Sequence, residues 1–68
     1  GQAMSFEAHL ILTVELTERQ AMALAQFVKR VGWTEFRANA IDNDEAYLIR
    51  EAVDAVQREL RVQGYSPR

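Results

Sequence analysis

Phe6-Glu7-Ala8-His9-Leu10-Ile11-Leu12-Thr13-Val14-Glu15-Leu16 alternates with a period of two. Phe6, Ala8, Leu10, Leu12, Val14 and Leu16 fall on one side of such a segment. Glu7, His9, Ile11, Thr13 and Glu15 fall on the other. Side chains of a strand point alternately to its two faces, so this pattern predicts a half-buried β-strand over residues 6–16.

Thr17 ends the alternation and opens a helix. Thr17-Glu18-Arg19-Gln20 has the form of a capping box, in which the Thr hydroxyl and the Gln side chain each satisfy a free amide. Ala21, Leu24, Phe27, Val28 and Val31 then recur at helical spacing, widened by Met22 and Ala25, and predict a helix to about Val31. Gly32 reads as its stop in a left-handed cap, with Trp33 packing back on Val28. Residues 34–40 read as one or two helical turns capped by Thr34. Asp42, with Glu45 three residues on, caps a last helix that runs to about Gln63. Leu48, Ile49, Ala52, Val53, Val56 and Leu60 form its expected core stripe. Gly64 ends it, and Tyr65 is placed to cover Leu60.

A single strand leaves its backbone amides and carbonyls unpaired on both edges. No later stretch alternates well enough to pair with residues 6–16. The expected fold is therefore α+β: one N-terminal strand and two long helices with a short helical piece between them. The strand would pair with its own copy in an antiparallel two-stranded ribbon, making a homodimer. Leu10, Leu12, Val14 and Leu16 are the expected dimer-interface residues.

Length and composition agree with a small domain that needs such support. The chain has 68 residues, 49% of them apolar, with no cysteine and a net charge of −2. A chain this short buries only about 60% of its unfolded surface, so a lone protomer would be marginal. Without cysteine there is neither a disulfide framework nor a thiolate metal site. Residues 1–3 read as a cloning remnant, and residues 4–68 as one β-α-α domain. The chain has neither a secretory signal pattern nor an apolar run of about 18 residues that could span a membrane, so the expected location is cytoplasmic.

The order strand, helix, helix resembles that of ribbon–helix–helix DNA-binding proteins, as does the heptad Tyr47-Leu48-Ile49-Arg50-Glu51-Ala52-Val53. That resemblance implies a dimeric nucleic-acid-binding regulator. Two features oppose it. The link from Gly32 to Asp42 is long for that family, and Glu7 and Glu15 would face phosphate. Ala23-Leu24-Ala25-Gln26-Phe27-Val28-Lys29-Arg30-Val31-Gly32, Asp44-Glu45-Ala46-Tyr47-Leu48 and Gly64-Tyr65-Ser66-Pro67-Arg68 resemble a group of short bacterial and prophage proteins of unknown function. The second resemblance implies an accessory protein of a mobile element and carries no activity with it.

The residues offer little catalytic chemistry. His9 is the sole histidine, and with Glu7 it makes a thin metal site even when doubled by a dimer. Asp42-Asn43-Asp44-Glu45 lacks the glycine and the distant glutamate of a calcium loop, and helix capping explains it. There is no Gly-rich phosphate loop, and the only serines, Ser5 and Ser66, lie near the ends. No catalytic residue, metal or cofactor is assigned, and the expectation is a non-enzyme. Lys29, Arg30 and Arg37 gather near the end of the first long helix, where cations suit the helix dipole. Together with Trp33 and Phe36 they are the candidates for binding a partner. The leading expectation is a small protein-binding accessory protein of unidentified partner. The alternative is a nucleic-acid-binding regulator.

Overall fold

The computed structural model describes residues 8–67. Three helices follow one another: α1 (Glu18–Arg30), α2 (Trp33–Ala38) and α3 (Asn43–Val62). Both α1 and α2 pack on α3.

The helix starts follow from local chemistry. At α1 the Thr17 hydroxyl accepts from the Gln20 amide at 3.1 Å, and the Gln20 side chain accepts from the Thr17 amide at 2.9 Å. This is the expected capping box, closed in both directions. At α3 the Asp42 carboxylate accepts from the Glu45 amide at 2.8 Å. Glu45 reaches one residue further back than a capping box requires and accepts from the Ile41 amide at 2.8 Å. The end of α3 is a Schellman motif: Tyr65 N–H donates to the Leu60 carbonyl at 2.8 Å and Gly64 N–H to the Arg61 carbonyl at 2.9 Å. Gly64 has φ +97°, the left-handed conformation that glycine adopts without a Cβ penalty.

Gly32 has a different role from the one its position suggests. Its φ is −140°, ordinary extended backbone, and Val31 caps α1 instead. Gly32 is the N-cap of α2, and its amide donates to the Glu35 carboxylate at 2.6 Å. The second helix therefore starts at Trp33, and Thr34 is inside it rather than its cap.

The core is small and built around alanines. Ala21, Ala25 and Val28 of α1 meet Leu60 of α3, with Leu24, Val53 and Tyr65 packed around them. Ala46 is fully buried, and Phe36 is the only buried residue of α2. Small side chains at these positions let the helices approach closely, but they remove little apolar surface from water.

The N-terminal expectation is overturned. Among the described residues there is no β-strand, and the fold is all-α rather than α+β. Residues 8–16 carry no regular secondary structure, and each is exposed. Among the described residues no backbone hydrogen bond reaches them. Alternation specifies which side chains share a face, whereas a strand exists only when a second backbone supplies the ladder. The described residues provide no such backbone, so the ribbon homodimer falls with the strand. Phe6 and Glu7, the first two residues of the expected strand, lie outside the described residues.

Candidate functional site

Residues 8–16 form an arm whose apolar side chains find no cover. Leu10, Leu12 and Val14 are exposed, and Ile11 is 93% exposed. An open cleft of about 1350 Å³ separates this arm from the helices. Leu10, Leu12, Val14 and Leu16 line one wall. Leu24 of α1, Ala52, Ala55 and Val56 of α3, and Tyr65 line the other. Glu18 and Glu59 also line it and are its charged groups among the described residues.

The wall contributed by α3 explains why the cleft exists. Two apolar stripes run along this helix, because side chains three and four apart share a face. Ala46, Ile49, Val53 and Leu60 point inward and are buried or half-buried. Leu48, Ala52, Ala55 and Val62 repeat at the same spacing one face over. Leu48, Ala52 and Val62 are exposed, and Ala55 is half-buried. The expected core stripe merged these two faces. Leu48 and Ala52 belong to the outer one, and Ala46 completes the inner one. The second stripe was visible in the spacing, since Leu48, Ala52, Ala55 and Val62 fall at steps of four, three and seven residues.

The remaining candidate residues do not converge. Phe36 is buried at 9% exposure and belongs to the core. Arg37 ties the α2–α3 turn together: its Nε donates to the Asn43 side chain at 2.7 Å and its Nη1 to the Ala40 carbonyl at 3.1 Å. Arg30 donates to the Gln26 side chain at 2.9 Å, and both Arg30 and Lys29 stay on the wet face of α1. Trp33 is 38% exposed, and with Gly32 extended the left-handed cap expected to bring it onto Val28 does not form. Trp33 stacks on Tyr47 with ring centroids 4.7 Å apart and planes tilted by 44°. The Arg50 guanidinium lies 5.8 Å from the Tyr47 ring centre. Tyr47 and Arg50 were not candidates, and no sequence signal pairs positions 33 and 47 across a turn.

His9 sits exposed on the arm, and Glu7 lies outside the described residues. Among the described residues no three His, Cys, Asp or Glu side chains come together as a metal site would require. A second, smaller cavity of about 180 Å³ lies where Phe27 and Val31 approach Phe36, Ile49 and Val53. Its polar groups, Glu35 and Asn39, are already used: Glu35 accepts from Gly32, and Asn39 donates to the Glu35 carbonyl at 2.8 Å. No described helix is long and apolar enough to cross a membrane.

The sequence model of a family of unknown function (DUF7706) matches residues 4–68, and the chain belongs to that family. No curated protein and no solved structure matches the chain. The family match agrees with the resemblance to proteins of unknown function. It carries nothing about mobile elements or ribbon–helix–helix proteins.

Proposed function

We propose that this member of a family of unknown function is a non-catalytic protein-binding module, and that its arm–helix cleft holds a helical segment of another polypeptide. The observation that carries this reading is the cleft itself, with apolar side chains of the arm on one wall and of α1 and α3 on the other. Its volume of about 1350 Å³ equals that of a cylinder about 10 Å across and about 17 Å long, which is roughly three turns of helix with side chains. Leu10, Leu12 and Val14 on one wall and Val56 on the other are exposed apolar side chains that the described residues leave uncovered.

The lining argues against catalysis and against nucleic acid. It offers Glu18 and Glu59 as rim carboxylates, Thr13, Gln63 and Tyr65, but no nucleophile paired with a base. Two rim carboxylates and a net charge of −2 repel a phosphate backbone. The apolar walls would pair instead with the apolar face of an amphipathic helix, a common mode of peptide recognition.

The test is site-specific photocrosslinking in cells, with a photoreactive residue replacing Leu12 in the cleft or Asp54 on an exposed face of α3. The expected result is a polypeptide adduct from position 12 and none from position 54. An adduct that disappears with nuclease, or the absence of any polypeptide adduct from position 12, would refute the reading.

A further inference from the structure

Resting on the cleft reading, we propose that the segment held there is helix α3 of a second copy of this chain, lying antiparallel to the first. Three observations support this occupant.

The first is exposed apolar surface. Leu10, Ile11, Leu12 and Val14 of the arm and Leu48 and Val62 of α3 are all more than half exposed. A standard interface takes about 800 Å² from each partner. A second copy would supply two clefts and two helices at once, as a twofold interface does.

The second is the outer face of α3. Leu48, Ala52, Ala55, Glu59 and Val62 keep alternating steps of four and three residues. That is the spacing of a helix that packs along another helix. The inner stripe of α3 already serves the protomer core, so the outer one is left for a different helix. Ala52 and Ala55 are small enough for a close approach, and both line the cleft.

The third is charge. Glu51 and Arg58 flank this face on its solvent side, seven residues apart, and both are exposed. In an antiparallel pair that sets Ala52 against the partner's Ala55, Glu51 lies beside the partner's Arg58. Twofold symmetry then places Arg58 beside the partner's Glu51. A slide of one heptad in one direction brings Arg58 against the partner's Arg58. A slide in the other direction brings Glu51 against the partner's Glu51. Glu51 and Arg58 thus favour one register of the three, as flanking charges do between packed helices, with Glu59 the charged side chain in the seam itself. In that register each arm closes over the partner's helix through Leu10 and Leu12.

The experiment is sedimentation equilibrium over a dilution series on the full chain and on the charge swaps E51R and R58E. Both positions are exposed, and far-UV circular dichroism checks that each variant keeps its helices. The wild type is expected to dimerise reversibly. Each single swap places like charges at two symmetric contacts and weakens the dimer about tenfold or more. An equimolar mixture of E51R and R58E restores opposite charges at both contacts and recovers wild-type affinity as a heterodimer.

A dimer indifferent to both swaps, or a mixture that fails to recover, overturns the α3 pairing. A wild type that stays monomeric at its highest soluble concentration overturns the second copy as occupant. If that monomer still gives an adduct from position 12 with a different polypeptide, the cleft reading survives. If it gives none, both fall.

Discussion

Replacing Phe36 with alanine tests how the small core is organised. Phe36 is the only buried residue of α2, a helix of six residues. Truncating a buried Phe to Ala costs about 3–5 kcal/mol when a cavity remains. Here a cavity of about 180 Å³ already adjoins the ring and opens to solvent, so the site can relax and the low end applies. About 3 kcal/mol is a large share of a domain of this size, whose total stability is roughly 3–10 kcal/mol at 0.05–0.15 kcal/mol per residue. The corresponding fall in midpoint is roughly 12–24 °C, at about 4–8 °C per kcal/mol. Thermal unfolding at one fixed protein concentration, followed by far-UV circular dichroism and by tryptophan fluorescence, is the assay. Trp33 is the sole tryptophan and lies at the first position of α2, stacked on Tyr47, so its emission reports the docking of that helix. F36A is expected to lower the midpoint by both probes, with the Trp33 signal moving first. The milder F36L keeps most of the buried area and should cost about 1 kcal/mol. A loss below about 1 kcal/mol for F36A with unchanged Trp33 emission would refute the view that Phe36 is the anchor of α2.

T17A removes one arm of the capping box and is expected to cost about 1 kcal/mol by urea unfolding, while T17S should restore most of it. G64A forces an alanine to φ +97° and is expected to cost about 1–2 kcal/mol even though a Cβ there meets no neighbour. G32A should stay within about 0.5 kcal/mol of wild type, since its backbone is extended and the added Cβ lies 3.6 Å from the Glu35 carboxylate. Equal losses at the two glycines would contradict the difference in their backbone conformations. Y47A removes the ring against Trp33 and should cost about 1 kcal/mol while shifting tryptophan emission to the red; unchanged emission would show that the stack does not persist in solution.

Helix limits were legible because their causes are local. Thr17 with Gln20, Asp42 with the Glu45 amide, and Gly64 with Tyr65 each act within a few residues, and each stands where the residues placed it. Gly32 shows where a local signal admits two structures: a glycine between helices can end one or begin the next, and the carboxylate of Glu35 decides for the second. Whether an apolar side chain is covered was not legible. Phe27 lies on the strongest apolar stripe of α1 yet is 59% exposed, because short α2 anchors through Phe36 and leaves Phe27 at the open edge of the smaller cavity. Ala46 stands outside the expected core stripe and is the most deeply buried residue of α3.

The sequence by itself determined a small domain with two capped long helices and an N-terminal segment with apolar residues at alternate positions. Only the tertiary structure decided that residues 8–16 lie unpaired beside a cleft and that α3 carries one apolar face for the core and a second left open. Capping chemistry is settled by neighbours along the chain. Strand pairing and burial are settled by what arrives from elsewhere in space, and a periodic pattern of apolar residues specifies a face without specifying what will cover it.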